Sequence, residues 1–285
     1  LSKEFNLQPL QVHLLPTLME ETQLAGGVAV IIDILRASTT IITAIYNGAT
    51  SVIPCATPET ARQIRTESAL SGVAVLLGGE RGGVLIDGFD YGNSPAEYSA
   101  DRITGRTIAF TTTNGTRALL KSSAAETILI GAFINRRTLV SQLRKDPRPI
   151  HLVCAGTDGT ISGEDVLFAG SVVDALVQPE ETNTTGDTQR EPNDCARIAQ
   201  AFWRSCVGDP ATVGSSEILS AKIEAAMRYT QGGFNLRRLG YDNDIRLCSA
   251  VDTVDCVPVL NRDSSEKGSG TNSAQHASGH ISIGS

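Results

Sequence analysis

Three stretches of this chain repeat one plan: a short β-branched run, a loop rich in Ser, Thr or Gly, then an Ala- and Leu-rich helical pattern. They are "VAVIIDILRASTTIITAIYNGATSVIP" from Val28, "RTIAFTTTNGTRALLKSSAAETILIG" from Arg106 and "PIHLVCAGTDGTISGEDVLFAGSVVDAL" from Pro149. The run VAVII is apolar at every position, the pattern of a strand buried on both faces. STTIITAIYNG reads as a capped helix ending at Gly48, and TSVIP as the next strand. Strands alternating with helices predict a layered α/β/α sandwich around a largely parallel or mixed sheet. Asp33 aligns with Thr111, Arg36 with Asn114, Ser38 with Thr116 and Ala49 with Thr127. This pattern raises an internal duplication, two similar halves within one α/β domain over residues 1–260. The polar stretch 178–194 and the Ser/Gly-rich tail 261–285 lack apolar periodicity, are expected to be disordered, and are left out of the site.

Ligands of such sheets sit beyond the carboxyl ends of strands. The loops after VAVII, IAFT and HLVC therefore carry the candidate site, with a fourth after VAVLL. That fourth loop, "GGERGGVLIDGFDYGNSP" (residues 78–95), holds Glu80, Arg81, Asp87, Asp90 and Asn93 among six glycines. A plain hairpin accounts for the glycines and not for that density of charge. In "IDILRAST", Asp33 ends an apolar run, Arg36 lies in the turn, and Ser38 or Thr39 is placed to cap the helix. Amides at a helix start beside an arginine fork suit an anion. Asp33 would then be a metal ligand or a catalytic carboxylate. "FTTTNGTRAL" offers Thr112, Thr113 and Asn114; its Asn-Gly also fits a hairpin turn, but RALLKSSA lacks strand alternation and favours a helix. "GTISGEDVL" places Glu164 and Asp165 at a helix start, where acids complement the helix dipole or join a hard-cation site.

The formal net charge of −7 argues against nucleic acid or an anionic membrane as partner. It also means that an anionic ligand must be attracted by local positive groups. Six scattered cysteines without a C-x-x-C pair read as free thiols of a reducing, cytoplasmic setting. No apolar run approaches the roughly 18 residues of a membrane span. Oligomeric state is left open, with a homodimer among the arrangements allowed.

Carboxylates for Mg²⁺ together with arginines and amides for an anion suit a phosphate ester. Familiar nucleotide loops are absent: there is no G-x-x-x-x-G-K-[ST], and no G-x-G-x-x-G after a strand. A phosphocysteine route needs Arg six positions after Cys154, and Thr160 stands there; an aspartyl nucleophile of D-x-D type fails because residue 35 is Leu. His13 and His151 lie outside these loops. Phosphate-monoester hydrolysis needs up to ~10²¹-fold acceleration, whereas one general base supplies ~10²–10⁴. Charge stabilisation by metal and guanidinium must carry most of it.

Taken together, "VIIDILRASTTI", "GGERGGVLIDGFDYGNSP", "TTTNGTRAL", "VCAGTDGTISGEDVLFAG" and "DNDIRLCSAVDTVDCVPVL" resemble the 2-phosphosulfolactate phosphatases of coenzyme M biosynthesis. The resemblance runs from about Val12 to Leu260. A departure is "EDVLFAG", where relatives often carry Thr and Cys before the AG. The resemblance implies a Mg²⁺-dependent hydrolase that converts (R)-2-phospho-3-sulfolactate to (R)-3-sulfolactate and phosphate. The expected catalytic residues are Asp33, Glu80 and Asp165. The expected substrate contacts are Arg36, Ser38, Arg81, Asn93, Thr112, Thr113 and Asn114. The metal set is expected among Asp33, Glu80, Asp90, Glu164 and Asp165. A phosphatase of another small anionic ester would share every loop; a non-catalytic anion-binding protein would gain nothing from the massed carboxylates.

Overall fold

Val28–Ile32 (β2), the unbroken apolar run, is buried along its whole length inside an 11-stranded mixed sheet. The computed structural model describes residues 7–178, 189–208, 214–262 and 279–284. Before β2 comes Gln8–His13 (β1). After it follow Ala37–Tyr46 (α1), Ser51–Pro54 (β3), Pro58–Leu70 (α2), Val75–Arg81 (β4), Val84–Leu85 (β5) and Ala100–Ile103 (α3). The middle of the chain gives Thr107–Thr111 (β6), Gly115–Lys121 (α4), Thr127–Ile130 (β7), Arg136–Lys145 (α5), Ile150–Cys154 (β8) and Gly163–Val177 (α6). The last part gives Arg190–Pro192 (β9), Asp194–Val207 (α7), Ser216–Met227 (α8), Gln231–Arg238 (α9), Asp242–Ser249 (α10), Pro258–Arg262 (β10) and Gly279–Ile283 (β11).

The strand order is β5-β4-β6-β3-β11-β10-β7-β2-β8-β1-β9. From the β10–β11 pair outward it reads β3, β6, β4 on one side and β7, β2, β8 on the other. Each side is parallel within itself. The joins β3–β11, β11–β10 and β10–β7 are all antiparallel, and three reversals leave the two blocks pointing opposite ways. The expectation that the carboxyl ends share one edge of a parallel sheet is thus corrected. The ends of β2 and β6 meet nonetheless, since a Cβ on Gly115 would stand 2.8 Å from Asp33 Oδ2.

Three other expectations change. Residues 279–283 of the supposedly disordered tail form β11, between β3 and β10 in the middle of the sheet. Ile281 is fully buried there. Apolar alternation of "HISI" over so few residues is a weak signal, and only pairing with distant strands makes it a strand. Likewise Arg190–Pro192, placed in the disordered stretch, pairs in parallel with β1 as β9. Residues 179–188, 263–278 and 285 of those two calls lie outside the described residues. Finally, β4 runs through the glycines to Arg81 and turns into β5, so this part of the opening loop is a hairpin.

Around the sheet, α6 packs on α7, α5 and α8, while α2 covers β4 and β6. The "FAG" of α6 is a close crossing: a Cβ on Gly170 would overlap the Ala199 carbonyl oxygen of α7. Trp203 of α7 is fully buried and stacks on Phe133, with ring centroids 6.1 Å apart.

His13 and His151, on adjacent β1 and β8, are packing residues. His13 Nε2 lies 3.1 Å from His151 Nδ1, so only one of the facing nitrogens carries a proton. Burial lowers both, His151 to about 4. A depressed histidine binds protons more weakly in the folded state, so its stabilisation is complete above the unfolded value of about 6.5 and is lost as pH falls toward 4. Between pH 7 and 4.5 the loss from His151 is expected to be on the order of 1–2 kcal/mol after allowing for solvent screening. Urea unfolding of the native protein and His151→Asn across this range checks it: the difference in pH slope should vanish if His151 does not titrate on unfolding.

Candidate active site

The site is built where β2 and β6 each end in a helix start. The Asp33 carbonyl accepts from Ser38 N at 2.9 Å and Oδ1 from Ala37 N at 3.4 Å, so the first turn of α1 winds around this aspartate. Ser38 Oγ accepts from Asp33 N and donates to Ile31 O, fixing the bend. At the end of β6, Thr116 Oγ1 accepts from Thr112 N at 3.3 Å, a similar bend. The two helix starts touch: a Cβ on Gly115 would stand 2.8 Å from Asp33 Oδ2 and 3.1 Å from Ala37 Cβ.

The β4–β5 hairpin closes over them. Its two-residue turn has Gly82 at φ +60° and Gly83 at φ +82°, left-handed positions that glycine tolerates without a Cβ clash. Glu80 is tied at both oxygens, Oε1 accepting from Thr113 N at 2.9 Å and Oε2 from Gly83 N at 2.7 Å. Arg36 donates from Nη2 to Gly83 O at 2.7 Å and from Nη1 to Asp244 Oδ2 at 2.7 Å, with both side chains almost fully buried. Its guanidinium lies 4.3 Å from the centre of the Tyr241 ring. Asp244 Oδ1 also accepts from Ser94 Oγ at 2.7 Å, so α10 holds the end of the opening loop as well.

The result is a cavity of about 330 Å³. Of the residues expected at the site, it is lined by Asp33, Arg36, Glu80, Asn93, Thr113 and Asn114. Asn114 Oδ1 accepts from Asp158 N at 3.3 Å, leaving its amino group to donate.

The other expected residues lie elsewhere, for identifiable reasons. Arg81 points away from the cavity to the carbonyls of Glu80 and Ala56 and to Thr111 Oγ1. Alternation along β4 dictates this, since Glu80 and Arg81 must take opposite faces. Asp90 is exposed, accepting from Leu77 N at 2.7 Å and pairing with Arg65. Ser38 and Thr112 line a separate pocket of about 20 Å³ behind Asp33. Asp165 does not line the cavity; its two oxygens accept from Ile34 N at 2.9 Å and Gly156 N at 3.0 Å, which ties the ends of β2 and β8 together. Glu164 is buried under α9, where a Cβ on Gly232 would overlap its Oε1. Cys154 is fully buried, and burial pushes its thiol well above the usual range.

The expected five-carboxylate metal set is therefore not assembled. Among the described residues, no group of three or more His, Cys, Asp or Glu side chains gathers in a metal-holding arrangement. Two cavity carboxylates do face each other's charge: burial, and then Glu80, push the Asp33 carboxyl up to about 7. Beside them the buried oxygens Asn93 Oδ1 and Thr113 Oγ1 have no hydrogen-bond partner among the described residues. Two carboxylates with neutral oxygens fit a hard divalent cation of the kind that completes its shell with water and substrate phosphate.

Sequence reasoning missed the wall supplied by α9. Gly232, Asn235, Leu236, Arg238 and the following Leu239 line the cavity. The available signal was Gly232-Gly233 within a helical pattern, a costly choice unless something approaches closely. Glu164 and the Met227 carbonyl do so.

The family profile described as 2-phosphosulpholactate phosphatase matches residues 13–263. This chain belongs to the 2-phosphosulpholactate phosphatase family. A protein of Symbiobacterium thermophilum called a probable 2-phosphosulfolactate phosphatase is 36% identical over 238 residues, covering 84% of this chain and 93% of its own. Relatives of the same name from Clostridium perfringens and Thermotoga maritima are 34% and 37% identical, covering 84% and 81% of this chain and 88% of each relative. The family is one of phosphoric monoester hydrolases. Among the described residues, no helix is long and apolar enough to cross a membrane.

Proposed function

We propose that the cavity hydrolyses (R)-2-phospho-3-sulfolactate to (R)-3-sulfolactate and phosphate, and that it does so with Mg²⁺. The observation that carries this reading is the carboxylate pair of Asp33, at the end of β2, and Glu80, on β4, beside the touching starts of α1 and α4 in a cavity of about 330 Å³. That volume stands at the low end of ligand pockets, roughly 300–1,000 Å³. It suits a three-carbon ester with a few waters. Asp33 and Glu80 would hold the cation, which when bound neutralises phosphoryl charge and stabilises the charge that develops as the ester bond breaks. The Asn114 amino group, left open to donate, would orient the phosphoryl oxygens. Without the cation the Asp33 carboxyl sits near 7, so binding the cation there would release a proton near neutral pH and hold Asp33 as a carboxylate ligand. Leu35, Leu236 and Leu239 give the cavity an apolar flank against the carbon skeleton.

The test is phosphate release from a panel of small phosphate monoesters, with Mg²⁺ and after exhaustive chelation. Turnover should be fastest for 2-phospho-3-sulfolactate, fall to background with chelator and return on adding Mg²⁺. Full activity without divalent cation, or a clear preference for an ester lacking the sulfonate, contradicts the reading.

A further inference from the structure

Of the guanidinium groups expected to clamp the substrate, neither is free to do so. Arg81 faces away, and the two terminal nitrogens of Arg36 are occupied by Asp244 and Gly83. The cavity nevertheless contains Asp33 and Glu80, with Asp158 exposed on its rim. The proposed substrate adds roughly four negative charges when phosphate, sulfonate and carboxylate are counted together. Arg238 is the other arginine lining the cavity. It is exposed and, among the described residues, has no carboxylate or hydrogen-bond partner. Its guanidinium lies 5.9 Å from the centre of the Phe234 ring, an aromatic shelf that leaves the donor edge open. Asn235, three positions earlier on α9, lines the same wall, as i, i+3 spacing requires. Asp33 and Glu80 come from different elements, the ends of β2 and β4.

We propose that Arg238, assisted by Asn235, is the specificity-determining residue that takes the non-reacting sulfonate of the substrate. This rests on the function proposed above and deepens it. With Arg238 on α9 and the carboxylate pair at the ends of β2 and β4, the substrate's anions would be sorted: the phosphoryl group to the carboxylates, the sulfonate to α9. A tetrahedral sulfonate presents several acceptor oxygens to the planar fork of an arginine, which a lysine point charge matches less well.

The test compares Arg238→Gln, Arg238→Lys and the native enzyme on 2-phospho-3-sulfolactate and on 2-phospholactate, which lacks the sulfonate. Calorimetric titration of 3-sulfolactate and of inorganic phosphate runs in parallel. For Arg238→Gln, kcat/KM on the sulfonated ester should fall about 10- to 100-fold, mainly through KM, as loss of a charge-assisted hydrogen bond implies. On 2-phospholactate the change should stay within about threefold. Binding of 3-sulfolactate should weaken by at least about tenfold, phosphate binding should hold, and Lys should restore part of the loss. Equal losses on both esters, or unchanged 3-sulfolactate binding, overturn the assignment. If the native enzyme hydrolyses neither ester, the proposed reaction fails, while the 3-sulfolactate titration still decides the role of Arg238.

Discussion

Asp33→Asn will lower phosphate release by about 10³-fold or more and leave the protein at least as stable as before. The activity loss follows from the cation: a neutral amide is a poorer ligand for a hard cation, and the charge stabilisation the cation would supply is lost with it. The stability expectation follows from the raised carboxyl. Burial and the charge of Glu80 push Asp33 up to about 7. A carboxyl with a raised folded value contributes stability that is present below its ordinary value near 4 and is lost as pH rises through 7. At pH 8, without divalent cation, the native protein therefore carries a buried charge that Asn does not. Asparagine keeps the shape, and its carbonyl oxygen can still accept from Ala37 N. Steady-state kinetics with Mg²⁺ and thermal unfolding at pH 8 in chelator decide the matter. A variant within tenfold of native activity removes Asp33 from the chemistry, and a marked drop in melting temperature contradicts the electrostatic account.

Arg36→Met will cost about 3–5 kcal/mol of stability, as expected when one partner of a buried ion pair is removed and the other is left uncompensated. Among the described residues, Asp244 would keep only Ser94 as a side-chain hydrogen-bond partner. The Gly83 carbonyl would lose the bond that holds the β4–β5 hairpin over the cavity. Arg36→Lys keeps a charge but cannot bridge Asp244, Gly83 and the Tyr241 ring together, so it should lower kcat/KM through misplacement of the hairpin. Adding Asp244→Asn to Arg36→Met should recover part of the stability and none of the activity. Urea unfolding of the two single variants and the double gives the coupling directly. Additive losses would show that the pair is not the fastening described here.

These two residues also mark how far the sequence reached. Asp33 was legible because its signal is local: one charged residue closing a run of apolar ones, just before a helix. The same local grammar placed β2, α1, β6 and α4, and favoured a helix over the hairpin alternative at Asn114-Gly115, where α4 begins. The glycines and Glu80 marked a wall of the cavity for the same reason, since turn chemistry and charge density are written in consecutive residues. Arg36 was legible as a site residue but not as a fastening, because its partner Asp244 is 208 positions away.

Direction along a strand decided between neighbours that composition treats alike. Glu80 and Arg81 carry equal interest as letters, yet the pleat sends one into the cavity and the other toward Thr111. Placement did the same for the acids: Asp165 lies outside the cavity, tying β2 to β8, and Asp90 is exposed and pairs with Arg65, positions that only the fold creates. The sequence by itself determined the alternating elements, the loops that end them and the chemistry those loops can carry, because each depends on neighbours within a turn or a strand. The tertiary structure decided the opposed strand blocks, the place of β11 in the sheet and the arrival of Arg238 at the cavity. Each of these depends on contacts between distant segments, whose energies no local pattern records.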